Sequence, residues 1–376
     1  MPTPNYWFER DEYTTRLARV QAEIQRRGLD ALIAFQPESV TWVTGFYSRA
    51  YSSFQFAIIP ASGAPTLFCR DVETYYLETT CIYPDHAVWS DSEDVTARAA
   101  AIIRQRLGAS ATVGAELGTW TLSVARFERL KELLPGVSWH NHNTLISHMR
   151  LIKSPAEIAY QRRAGQAAAA GMQAAIDTAR VGNSERDMAA AICDAMIRAG
   201  SDLPGPGVMA SGERAYHLHG YYTDRVLAHG DIVQIETTPN VRHYHARFMR
   251  PIRVAHASDH DYRVVEQLIA IQDAALATIK PGVAATVPDR IYREGVLSAG
   301  LRDSYTNKTM YSVGFMLLPV SGEDLEASPV AEWSFAVGMT LHTYVLAQGF
   351  GMSETIAITP TGYERLTTFP RQLFVS

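Results

Sequence analysis

The run Ile232-Val233-Gln234-Ile235-Glu236, opened by Gly230-Asp231, is short, apolar and rich in β-branched residues, and it ends on a carboxylate. Such a run reads as a buried strand, which forces the chain around it to supply a sheet and a covering layer. It also takes Glu236 out of water, where a carboxylate needs a partner. Arg247, which follows Tyr244-His245-Ala246, is the candidate for that opposing charge.

A chain of 376 residues exceeds what one core usually supports, so two domains are expected. Tyr13 to Arg27 reads as an amphipathic helix, with Leu17, Val20 and Ile24 on one side and Gly28 as its stop. Strand-like runs follow at Ala31–Phe35, Phe56–Pro60 and Thr66–Phe68, then helices at about Val95–Leu107 and Leu122–Leu134. This alternation predicts a smaller α/β N-terminal domain over residues 1–152, built on a wound mixed sheet. Ser154 then offers an N-cap and Pro155 a first helical residue, opening a long Ala-rich helix to about Ala179. A second helix starts at Ser184, with Glu185 and Asp187 in its first turn. Strand-like material to residue 252 and helices near Ser258–Ile279 and Val287–Ala299 give residues 153–376 an α+β character, with helices flanking a sheet.

Composition narrows the function. Hydrophobic residues at 47% and charged ones at 19% describe an ordinary globular protein rather than a disordered one. The net charge of -5, with no Lys/Arg block among aromatics, gives no nucleic-acid footprint and points to a small-molecule substrate. Cys69, Cys81 and Cys193 are too scattered for a disulfide framework and fit a reducing cytoplasm. The N-terminus mixes charges too early for a signal peptide, and no apolar stretch is long enough to span a bilayer.

Histidines crowd around Glu236: His217, His219, His229, His243 and His245. In an extended strand, residues two apart share a face, so His217 with His219 and His243 with His245 would each point one way. Imidazole titrates near neutral pH, so such a group suits proton transfer. The same His-x-His pairs also suit a single Zn or Ni ion. Pro204-Gly205-Pro206-Gly207 lacks the Lys and Ser or Thr of a nucleotide cradle and reads as a turn, while the acidic segment Gly322–Glu326 reads as a solvated loop.

Four segments, in this order along the chain, resemble the creatinase, prolidase and aminopeptidase P family: Ile152-Lys153-Ser154-Pro155-Ala156-Glu157-Ile158, the Gly230-Asp231 strand, Lys280-Pro281-Gly282 and Gly338-Met339. The resemblance implies a C-terminal pita-bread domain, and a homodimer whose partner's N-terminal domain borders the active site. The metallopeptidases of that family hold two divalent ions with two Asp, one His and two Glu. At the corresponding places this chain has Glu236, Arg247, Tyr311 and Tyr344, with Ser353 or Glu354 at the fifth. The expectation is therefore a metal-independent enzyme with no cofactor.

Ser353-Glu354-Thr355 onward, Tyr244-His245 and Gly338-Met339-Thr340-Leu341-His342 look most like the metal-free ectoine hydrolase branch, and His219 sits where creatinase carries its catalytic His. This implies hydrolysis of a non-peptide carbon–nitrogen bond in a small cyclic amidine or amide. Glu236 would attack or direct water, His219 would protonate the departing nitrogen, and His245 would assist. Tyr244, Arg247, Tyr311, His342, Tyr344, Glu354 and His217 would contact substrate. An Xaa-Pro metallopeptidase, a lyase and a non-catalytic binding protein of the same fold are the alternatives.

Overall fold

The computed structural model describes residues 3–205, 207–317 and 322–376, in two compact units divided between Met149 and Arg150. In the first unit, α1 (Arg10–Arg26) buries Tyr13, Leu17, Val20 and Ile24, residues three and four apart on one face. The chain then runs through β1 (Ala31–Ala34), α2 (Pro37–Thr44), β2 (Phe56–Pro60), β3 (Thr66–Arg70), α3 (Thr74–Thr80) and β4 (His86–Trp89). It continues through α4 (Val95–Leu107), β5 (Ala111–Ala115), α5 (Val124–Leu133), β6 (Val137–Asn141) and α6 (Leu145–Arg150). The strands form one mixed sheet in the order β4-β3-β2-β1-β5-β6, in which β1 is antiparallel to β2 and parallel to β5. The helix read from Leu122 starts instead at Val124, because the Ser123 side chain accepts from the Arg126 amide and caps it.

The second unit opens with α7 (Pro155–Thr178) and α8 (Glu185–Arg198), each begun by a reciprocal capping box, Ser154 with Glu157 and Ser184 with Asp187. Ala168, Met172, Ala175, Ile192 and Met196 bury the facing sides of these two helices. β7 (Met209–Ser211), β8 (Ile232–Thr237), β9 (Asn240–Val241), β10 (Tyr244–His245), β11 (Phe248–Met249) and β12 (Ile252–Arg253) follow. Then come α9 (Asp259–Leu276), α10 (Thr286–Ser298), β13 (Met310–Ser312), β14 (Glu326–Ala327), β15 (Thr340–Ala347), β16 (Phe350–Ile358), β17 (Tyr363–Arg365) and β18 (Phe374–Val375). β8 pairs with β7, β11 and β12, while β15 and β16 are the centre of the sheet β14-β13-β15-β16-β17. One apolar cluster joins α7 and α8 to β8, and a second joins α9 and α10 to β15 and β16. Two helix-backed sheets are the pita-bread arrangement.

Three sequence expectations change. His243 does not share a strand face with His245, because Arg242 and His243 take positive φ of 51° and 61° and make the tight turn joining β9 to β10. His217 and His219 are not in a strand either; they follow a short 3-10 turn, and His219 has a φ of 65°. The acidic loop is only partly solvated: Glu323 is drawn inside by Lys153, whose ammonium donates to it, and Arg150 lies 3.8 Å away. In the Pro204–Gly207 turn, Pro206 lies outside the described residues.

Candidate active site

Strand alternation builds the site. In β8, Val233 and Ile235 pack toward α7 and α8, so Gln234 and Glu236 face the other way, into a cavity of about 760 Å³. In β15, Leu341 and Val345 enter the core beneath α9 and α10, and His342 and Tyr344 face the same cavity. Tyr311 on β13 lies opposite His342 in register and joins them. Arg247, just before β11, completes this inner group; its backbone amide donates to the Thr355 hydroxyl at 2.9 Å, and that hydroxyl donates back to the Arg247 carbonyl at 2.8 Å.

The aromatic rings form one wall. His342 stacks on Tyr344 with centroids 5.4 Å apart and planes 14° apart, and Tyr311 meets His342 edge-on at 5.0 Å. Arg247 Nη1 donates to the Tyr311 hydroxyl at 3.2 Å. His342 Nε2 lies 3.2 Å from Glu236 Oε1, yet neither atom makes a hydrogen bond among the described residues, so the approach lacks hydrogen-bond geometry.

Burial sets the charges. It raises the Glu236 carboxyl above its usual range despite the opposing pull of Arg247. Burial, and then the Arg247 charge, hold His342 neutral well below the usual imidazole range. Burial would lower the Arg247 guanidinium, but Tyr311 and Glu236 outweigh it and keep it charged. Burial pushes the Tyr344 hydroxyl up to about 12 and raises Tyr311 as well. Burial thus favours the uncharged form of each member of this close pair, and with His342 neutral the two are not an ion pair. One carboxyl oxygen of Glu236 and both ring nitrogens of His342 are buried with no hydrogen-bond partner among the described residues.

The other sequence-selected residues divide. His219 is exposed at the cavity wall, but His217, also exposed, is not among its lining residues. His245 is buried behind the site, its Nε2 3.0 Å from the Met316 carbonyl, and burial together with Arg247 lowers its pKa to about 3. Tyr244 donates to Glu157 Oε1 at 2.7 Å and stacks on Tyr160 at 5.8 Å; it too lies behind the cavity lining. Glu354 pairs in register with Thr343, which puts it on the helix side of the sheet, where it takes a 2.7 Å bond from Arg250 Nη2 and another from the Thr367 hydroxyl. A carboxylate so occupied is a structural ion-pair member. Ser353, opposite Tyr344, takes the cavity-side register, and its hydroxyl accepts from the Met249 amide at 2.7 Å.

Sequence reading missed Asn307 and Lys308 and assigned Glu326 to a solvated loop, yet all three line the cavity. Asn307 Nδ2 donates to the Tyr344 hydroxyl at 3.4 Å, and Lys308 pairs with Glu326. No local pattern marks Asn307 and Lys308, which lie just before β13, and Glu326 reaches the site because β14 pairs with β13.

Residues 159–358 match metallopeptidase family M24, and residues 16–152 match the creatinase/prolidase N-terminal domain; the chain belongs to the M24 family and is a hydrolase of that family. It is similar to an ectoine hydrolase from Halomonas elongata, 26% identical with 98% of each chain covered. It is also similar to an Xaa-Pro dipeptidase from Pyrococcus furiosus, 27% identical over 67% of this chain and 73% of that one. The crystal structure of dipeptidase PepE from Mycobacterium ulcerans shares the fold, with a TM-score of 0.83 at 22% identity, covering 98% of this chain and 99% of that one.

The family name implies metal ions, and the donors here do not fit a pair of them. Glu236 is one raised carboxylate beside a buried guanidinium, Glu326 is taken by Lys308, and the remaining inner groups are two phenols and an imidazole. Among the described residues, no three His, Cys, Asp or Glu side chains gather as a metal-binding group.

Proposed function

We propose that this protein hydrolyses a non-peptide carbon–nitrogen bond in a small cyclic amidine or amide without a metal ion. The observation that carries the reading is the buried Glu236–His342 pair, with unmet hydrogen-bonding atoms, beside Arg247 and an aromatic wall. A flat N–C–N or N–C–O unit lying along the rings can meet the Glu236 carboxyl oxygen with one end and one His342 ring nitrogen with the other. Such a unit is the reacting part of an amidine or amide.

Glu236, as carboxylate, attacks the electrophilic carbon or directs water at it. Arg247 and the Tyr311 and Tyr344 hydroxyls are donors for the charge that develops on the tetrahedral centre. His219, exposed at the cavity wall, protonates the departing nitrogen. His342 orients the substrate.

The likeness to an ectoine hydrolase across nearly the whole of both chains makes ectoine the first substrate to assay. Turnover of ectoine or a related cyclic amidine, unchanged by chelators, supports the reading. Chelator-sensitive cleavage of Xaa-Pro dipeptides, the activity in the name of the Pyrococcus relative, overturns it.

A further inference from the structure

Glu185 is a fully buried carboxylate at the start of α8, outside the cavity lining. Its oxygens reach both ends of the segment that carries His219. At one end, Oε1 accepts from the Ser211 amide at 2.8 Å and the Ser211 hydroxyl at 2.6 Å. At the other, Oε2 accepts from the Thr223 amide at 2.7 Å and the Thr223 hydroxyl at 2.9 Å. Between them Arg214 donates to both carboxylate oxygens and, through Nη1, to the Tyr221 carbonyl at 2.9 Å. One side chain thus closes the base of a loop of chain.

His219 has a φ of 65°, in the left-handed region that few residues with a side chain enter. Gly220 follows with no room for a side chain, since a Cβ there would overlap that of Ala210, and its carbonyl accepts from the Met209 amide at 2.9 Å. Burial acts to raise the Glu185 carboxyl, but the bonds from Ser211, Thr223 and Arg214 outweigh it and lower it, so the clamp keeps its charge.

We propose that Glu185 is the positioning residue for His219: by tying Ser211 to Thr223 it fixes where the imidazole enters the cavity. The catalytic consequence rests on the reading of His219 as proton donor; the structural consequence does not.

Amide exchange and steady-state turnover of ectoine on the full chain test it with Glu185→Gln, and with Thr223→Val, which removes one hydroxyl donor at far less risk to folding. Exchange across residues 211–223 is expected to rise about tenfold or more while β8 is unchanged. With ectoine, kcat is expected to fall about 100-fold with KM altered less than about threefold. Glu185→Gln should add little to His219→Ala, because both remove one function.

Unchanged exchange in the segment, or a rise spread evenly over the second unit, overturns the clamp. A loosened segment with kcat intact in both variants overturns the positioning of His219. If the unaltered chain does not turn over ectoine, the substrate reading fails while the exchange result still decides the role of Glu185.

Discussion

His342 Nε2 approaches Glu236 Oε1 to 3.2 Å without a hydrogen bond, in a site that buries both residues. Groups left unmet in this way cost stability, roughly 1–3 kcal/mol each. Burial acts on both in the same sense, shifting Glu236 upward and His342 downward, so each favours its uncharged form.

Glu236→Gln removes the nucleophile or base while keeping the shape. Turnover of ectoine or its analogue is expected to drop by about 1,000-fold or more. Because the raised carboxyl disfavours the folded state once ionised, the variant should also lose less stability than the parent as pH rises from about 4.5 toward neutral. Initial rates and denaturant titrations at several pH values read both effects.

Acid should unfold the second unit through its buried imidazoles. Folded, His245 stays neutral down to about pH 3, whereas unfolded it takes a proton near pH 6.5. Its contribution is therefore intact above pH 6.5 and falls as pH drops toward 3, by roughly 1 kcal/mol per pH unit, with His342 acting in the same direction. His245→Asn should flatten that slope in urea titrations between pH 7 and 4.

Glu354→Gln tests the structural assignment of that residue. It leaves Arg250 buried without its carboxylate, at an expected cost of about 3–5 kcal/mol. The fraction that folds should keep KM within about twofold, because the side chain faces away from the cavity. A large KM change with unaltered stability would return Glu354 to the substrate contacts.

Gly207→Ala strikes the backbone under Glu236. Gly207 has a φ of 66°, and a Cβ there would overlap the Glu236 carbonyl oxygen. We expect a loss of at least about 2 kcal/mol, measured by thermal unfolding, with activity reduced further than the folded fraction explains.

Metal content separates the readings before any substrate is in hand. Elemental analysis of protein purified without a metal-affinity tag is expected to find less than about a tenth of an ion per chain, since the inner donors do not suit divalent cations. One or two ions per chain would overturn the ligand reading of Glu236, Arg247, Tyr311 and Tyr344.

Much of this molecule was legible along the chain because its signals are local. Helix α4 spans the expected residues, Val95–Leu107, and Ser154 and Ser184 open α7 and α8 as capping chemistry requires. The apolar run ending at Glu236 is a buried strand because β-branched periodicity and burial are written in adjacent residues. Local pattern failed at turns and at partners distant in sequence. A positive φ at His243 breaks the strand argument, and the burial of Glu323 depends on Lys153, far away in sequence.

The sequence by itself determined most of the elements and the family, since these follow from residue type and order. Only the tertiary structure decided which groups meet. The register of β15 against β16 sends His342 and Tyr344 into the cavity and Glu354 to Arg250, because a strand alternates its faces and pairing fixes the phase of that alternation.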